Sequence, residues 1–110
     1  MTLLDLVSMP QRGGGLSNVA TIAGEMLEED ALNFRVLAEV AEAYPIAVAQ
    51  RTGWLLEHVG DAVGTVPVLD ELQEVARRRA TPSLLLASGP LGTVDDRWNV
   101  IVNTEIEPDL

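Results

Sequence analysis

The apolar residues of this chain change their spacing once, at Pro82, and that change limits the fold more than any other feature. Before Pro82 they recur at the three- and four-residue intervals of amphipathic helices. After it they run together or alternate, as they do in strands. A chain of 110 residues, 47% of them hydrophobic, can enclose one core. Helices and strands must therefore share it. The expected class is α+β: four to five helices packed around the third long one, with a small C-terminal antiparallel β-hairpin or sheet, all in one domain over residues 1–110.

The opening stretch TLLDLV, residues 2–7, is apolar at once and suits a buried helical turn or strand stub. A native solvated tail would be polar, so the chain is expected to be the back half of something longer. Leu16, Val19, Ala20, Ala23, Met26 and Leu27 predict a helix over 16–28, with Ser17 or Asn18 as its N-cap. The acidic run Glu28, Glu29, Asp30 opposes the dipole at a helix C-terminus but suits an N-terminus, which makes Asp30 the expected cap of the next helix. That helix, 31–44, carries the stripe Leu32, Val36, Val40, Ala43 and Tyr44, widened by Phe34, Leu37 and Ala41. Pro45 ends it and opens a third helix, 46–59, which Gly60 is expected to stop. The fourth, 66–80, has Asp70, Glu71 and Glu74 in its first half and Arg77, Arg78 and Arg79 in its last turn, in agreement with its dipole. Glu74 and Arg78 also stand at the favourable i, i+4 spacing. Two strands follow, 83–88 and 97–106, expected to pair antiparallel across the connector 89–96, with Trp98, Val100, Val102, Thr104 and Ile106 on the inner face.

Composition narrows the chemistry. The net charge is −10, all seven basic residues are arginines, and the only short cluster is Arg77–Arg79. The missing lysine fits GC-rich coding more than a function. Such an acidic chain is poorly suited to gripping a nucleic-acid backbone, which rewards clustered positive charge. Without cysteine there is no disulfide or thiolate site, which fits a cytoplasmic protein. No apolar segment approaches the ~20 residues of a membrane span. His58 is the single histidine and lacks any metal-site spacing, so a structural or surface role is expected. Ser8, Ser17, Ser83 and Ser88 lie in no nucleophile elbow, and the carboxylates form solvated helix faces. No catalytic, cofactor-binding or metal-binding residues are expected.

The stretch PQRGGGLSNVAT, residues 10–21, places three glycines before a helix, as phosphate-binding loops do. A P-loop needs a lysine after its last glycine, and a dinucleotide fingerprint needs a third glycine in the form G-x-G-x-x-G. Neither is present. Gly13, Gly14 and Gly15 therefore suit a tight reversal that returns the next helix against the opening segment. Arg12 alone hints at an anion.

Three separated stretches together resemble one family. They are LLDLV…P…RGGGLSNVATI (3–22), YPIAVAQRTGWLLEHVG (44–60) and RWNVIVNTEIEPDL (97–110). They resemble the C-terminal domain of the AbiEi family, the antitoxins of type IV toxin–antitoxin and phage abortive-infection systems. The middle stretch resembles the family's QRLGYLL pattern in Gln50, Arg51, Thr52, Gly53, Trp54, Leu55 and Leu56. The resemblance covers nearly the whole chain. It implies an antitoxin and regulator, not an enzyme, which counteracts a nucleotidyltransferase-like toxin apparently without a stable complex. It also implies that DNA is contacted only through an N-terminal winged helix-turn-helix, absent from this sequence. A module for dimerisation or ligand sensing, with no toxin partner, is the competing reading, and a homodimer is compatible with both. A phosphate-binding enzyme, the third reading, rests on the glycines alone.

Gly13, Gly14, Gly15, Asn18, Gly53, Trp54 and Trp98 are the motif residues expected to act structurally. Gly53 lets another element approach its helix while Trp54 and Leu56 bury area beside it. Arg51 is expected to pair with a carboxylate. Arg97 and Asn99 project opposite Trp98 on the last strand and are expected to form a polar surface beside Arg12. Arg12, Arg51, Arg97 and Asn99 are thus the candidate partner-contacting residues. Structural salt bridges are the simpler role for the arginines.

Overall fold

Thr2 and Asp5 close a capping box in the computed structural model, which describes residues 2–65, 67–86 and 89–106, and so launch helix α1, Leu3–Ser8. Leu3, Leu4, Leu6 and Val7 are all buried, which makes the apolar opening a helical turn of the core. The Tyr44 hydroxyl donates to the Asp5 carboxylate from 39 residues away and ties this helix to the middle of the chain. That bond, with further ones from Thr2, holds the Asp5 carboxyl below its ordinary value, and the same acceptor holds the Tyr44 phenol above its own. A depressed acid stabilises the fold above the unfolded carboxylate value near ~4, and loses that contribution as pH falls through the folded value. A raised phenol stabilises below about 10, and loses its contribution as pH rises through the folded value. Tyr44 is the single tyrosine in a chain without lysine. Tyr44→Phe is therefore expected to flatten the alkaline loss of stability and to shrink the acid loss, because the folded Asp5 carboxyl moves back toward its unfolded value. The urea midpoint followed against pH measures both, and an unchanged profile would exclude the pair as a contributor.

A 3₁₀ turn, Pro10–Gly13, and the left-handed Gly14 (φ 85°) and Gly15 (φ 98°) reverse the chain, as expected of the triple glycine. Gly13 itself lies against Val19 and Leu6, where a Cβ would come within 2.9 Å and 3.0 Å of their side chains. Helix α2, Leu16–Glu28, keeps its expected bounds, but Gly15 is its N-cap, and neither Ser17 nor Asn18 caps it. The Asn18 amide donates back to the Gly13 carbonyl and braces the turn. Asp30 ends α2 in place of starting the next helix. It adopts φ 54°, its N–H donates to Leu27 O (3.2 Å), and that of Ala31 donates to Met26 O (2.9 Å). The cap of α3, Phe34–Ala41, is Asn33, whose Oδ1 accepts from the N–H groups of Arg35 and Val36.

Helix α4, Ile46–Val63, runs through Gly60 and ends at the left-handed Gly64. Gly60 serves packing: a Cβ there would meet the Thr65 carbonyl at 2.5 Å and the Pro67 ring at 2.7 Å. Helix α5 is only Asp70–Ala76, shorter than the expected 66–80. Val68 is 71% exposed while Leu69 is buried, so the approach to α5 is irregular and pins one residue in the core. Every other helix packs against α4, and so do two of the strands. The helix over 46–59 is thus the centre of the cluster, as its position in the pattern implied.

Three short strands complete the α+β fold: β1 Ser83–Leu84, β2 Thr93–Asp95 and β3 Val100–Val102, in the order β1-β3-β2. β2 pairs antiparallel with β3, but β1 pairs parallel with it, Ser83 opposite Val100. The expected pairing of 83–88 with 97–106 across a plain connector is corrected accordingly. Part of that connector becomes β2 and takes the tight-turn antiparallel place, which leaves β1 the opposite edge of β3. Of the expected elements, Val66, Ala87, Ser88 and the tail 107–110 lie outside the described residues. Among the described residues no helix is long and apolar enough to cross a membrane.

Candidate functional site: an arginine-lined pocket

Asp95 decides where the C-terminal polar residues point. Its Oδ1 accepts the N–H groups of Arg97 (2.9 Å) and Trp98 (3.2 Å), and Asn99 takes the left-handed φ of 56°. Residues 96–99 are therefore a turn joining β2 to β3, not the start of a strand. Trp98 points inward all the same and is 1% exposed, its six-membered ring lying over Gly53 of α4 where a Cβ would overlap it. Its indole N–H is buried and finds no partner among the described residues. Trp54, also buried, stacks on His58 at 4.8 Å, and the His58 Nε2 lies 3.1 Å from the Ile106 carbonyl. His58 itself is exposed on α4, where the stacking on Trp54 and the Ile106 contact hold its ring.

The turn is clamped to the chain leaving α5. Asn99 Nδ2 donates to Ala80 O (2.8 Å) and Arg79 O (3.4 Å), and Gln73 Nε2 donates to Arg97 O (3.2 Å). The clamp creates a pocket of about 210 Å³ lined by Arg77, Arg79, Asp96, Arg97, Trp98 and Asn99, with Ala76 and Ala80 between them. The Arg97 guanidinium is ion-paired with Glu57 of α4. Arg78 turns away and pairs with Glu42 at 3.0 Å, not with Glu74. Among the described residues, Arg77 and Arg79 have no acidic group within 4.0 Å. Two positive charges thus stand at one pocket without an ion-pair partner among the described residues, with Asp96 in the same lining, in a chain of net charge −10.

The other candidate arginines go elsewhere. Arg51 has no carboxylate partner among the described residues: its Nε donates to the Leu84 carbonyl at 2.8 Å. Ser83 and Leu85 spend their N–H groups on β3, so the polar groups of Leu84 turn to the sheet edge, and Arg51 covers that edge. Burial, and then the charge of Arg79, lower the Arg51 pKa from its ordinary value. Arg12 sits on the 3₁₀ turn, which packs on α1 and α2, and it shares no pocket with Arg97 or Asn99. The expected surface joining the three is therefore split. The glycine turn keeps Arg12 beside α1 and α2, while Gln73 and Glu57 hold Arg97 at α5 and α4.

Arg77 and Arg79 were visible in the sequence as a charge run, where a helix dipole explained them. The run ends α5 early and uncoils after Ala76, which spreads its side chains in different directions. An arginine triplet in an otherwise lysine-free, acidic chain is the signal that marked the place. Nothing local linked it to Arg97, about twenty residues on. Among the described residues no group of three histidine, aspartate or glutamate side chains gathers as a metal site. Compared with protein-family models, with curated proteins and with solved structures, the chain matches none.

Proposed function

We propose that the chain is the antitoxin domain of an AbiEi-type system, counteracting a nucleotidyltransferase-like toxin in the cytoplasm. One observation carries the reading: residues of separate motifs meet in one core. Gly53 of the middle stretch receives the ring of Trp98 from the last, and Gly13 of the first packs on Leu6 and Val19 of that same stretch. The fit across 45 positions joins the stretches that carry the resemblance in one core, and the family reading itself rests on that resemblance. In this reading the domain is not an enzyme, and DNA contact belongs to a winged helix-turn-helix preceding it. The acidic surface supports that division, because it would repel a phosphate backbone.

The test is co-expression of the full-length protein with the nucleotidyltransferase-like toxin encoded beside it. Growth is expected to be rescued. A variant that cannot seat Trp98, Gly53→Val, is expected to lose rescue together with its folded signal by circular dichroism. Persistent toxicity in the presence of folded wild-type protein would remove the reading.

A further inference from the structure

We propose that the pocket between the end of α5 and the 96–99 turn binds a terminal phosphate monoester, a group carried by a mononucleotide or by the end of a nucleic-acid strand. The inference does not rest on the antitoxin reading. Three of the seven arginines line this one pocket, although the chain has seventeen acidic residues to offer as partners. Arg77 and Arg79 find none within 4.0 Å among the described residues. Arg77 and Arg79 line the pocket without pairing to its carboxylate, which leaves their N–H donors for an oxyanion able to accept several bonds at once.

The frame is set before any ligand arrives. Asn99 holds the turn to residues 79 and 80, Gln73 holds the Arg97 carbonyl, and Glu57 holds the Arg97 guanidinium. Preorganised donors lose less freedom on binding. Two features select the ligand. Arg77 and Arg79 attract an anion in proportion to its charge, so a monoester carrying about −1.5 to −2 at neutral pH gains more than a singly charged carboxylate or chloride. Asp96 in the same lining weakens the binding of every anion. A pocket of about 210 Å³ in a chain of net charge −10 accommodates one compact group, while a run of internal phosphodiesters would extend over acidic surface. Asn99 has both amide bonds committed to the backbone and acts as a positioning residue.

Calorimetry and amide chemical-shift titration at low ionic strength test the proposal with four probes: inorganic phosphate, a nucleoside 5′-monophosphate, the unphosphorylated nucleoside, and a short oligonucleotide with and without a 5′-phosphate. Saturable binding of phosphate and of the monophosphate is expected, with Kd below about 1 mM for the latter, and none of the nucleoside. Tighter binding of the 5′-phosphorylated oligonucleotide than of the monophosphate assigns the group to a strand end, and equal or weaker binding assigns it to a small molecule. Arg77→Gln combined with Arg79→Gln is expected to weaken binding at least about tenfold. Both side chains are exposed, so the melting temperature should hold. Asp96→Asn provides an independent check by tightening binding several-fold. Absence of saturable binding, an affinity unaffected by the two arginine substitutions and by Asp96→Asn, or equal binding of oligonucleotides with and without the 5′-phosphate would each overturn the proposal.

Discussion

Gly53→Ala is expected to destabilise the protein by about 2–3 kcal/mol, the reverse of what the same change does in an ordinary helix interior. Alanine normally stabilises an exposed helical position by roughly 0.5–1 kcal/mol relative to glycine, because glycine loses more backbone freedom on folding. Here the added Cβ would overlap the Trp98 ring, a group 1% exposed and anchored on both sides. Asp95 binds the Trp98 N–H, and Asn99 ties the following residue to the segment after α5, so the ring has nowhere to retreat. Overpacking of this kind costs about 1–3 kcal/mol or more. Trp98→Ala alone is expected to cost about 3–5 kcal/mol through lost burial and the cavity it leaves. In the Trp98→Ala background, Gly53→Ala should turn neutral or stabilising, which makes the coupling between the two sites at least about 2 kcal/mol. Urea denaturation of the four proteins measures the cycle. A Gly53→Ala protein more stable than wild type would show that the indole is not seated on α4.

Gln50→Ala is expected to cost about 2–4 kcal/mol, a large effect for a polar residue. Gln50 is 0% exposed, in the middle of α4. Its Oε1 accepts from the Ser83 hydroxyl, and its Nε2 donates to the Thr81 carbonyl at 3.3 Å. Removing the side chain strands a buried hydroxyl and a carbonyl, each costing about 1–3 kcal/mol when unpaired, and leaves a void besides. Ser83→Ala removes one of the two bonds and is expected to cost about half as much. Together with the Arg51 bond to the Leu84 carbonyl, the link holds the two-residue β1 strand to the helix cluster. Hydrogen exchange of the Leu85 amide, which donates to Ile101 O at 3.0 Å, should accelerate in Gln50→Ala more than exchange in α2. A loss below about 0.5 kcal/mol, the range of ordinary surface substitutions, would show that the link contributes nothing.

The parts of the fold that were legible are those whose cause lies within a few residues. Leu16, Val19, Ala20, Ala23 and Leu27 repeat at helical spacing, and α2 has the bounds they imply. The glycine reversal follows from two residues that must take positive φ. Errors arose where one residue type serves two ends. Gly60 is as suitable for stopping a helix as for letting Thr65 and Pro67 pass close by, and the neighbours of Gly60 in space decided between them. Asp30 suits a helix start by charge, yet the hydrogen bonds of Asp30 and Ala31 back to α2 placed it at a helix end.

The candidate site was legible in its ingredients and not in its assembly. Arg97 and Asn99 stood out in the sequence, but an alternating strand would have set them opposite Trp98 on a flat face. The Asp95 side chain competes for the backbone of that strand and converts it to a turn, as short polar side chains do. Only then does Asn99 reach Ala80, and only then do Arg77 and Arg79 share a pocket with Arg97.

Taken alone, the amino-acid order determined that this protein is a helix cluster followed by strands, with one glycine reversal and no thiol chemistry. Those properties depend on local periodicity, backbone steric limits and residue inventory. Tertiary structure alone decided that β1 runs parallel to β3, that Gly53 admits Trp98, and that Arg51 serves a sheet edge while Arg77 and Arg79 remain unpaired among the described residues. The physical reason is range. Hydrogen bonding and close packing between residues tens of positions apart are set by how the elements meet, and no local pattern encodes the partner.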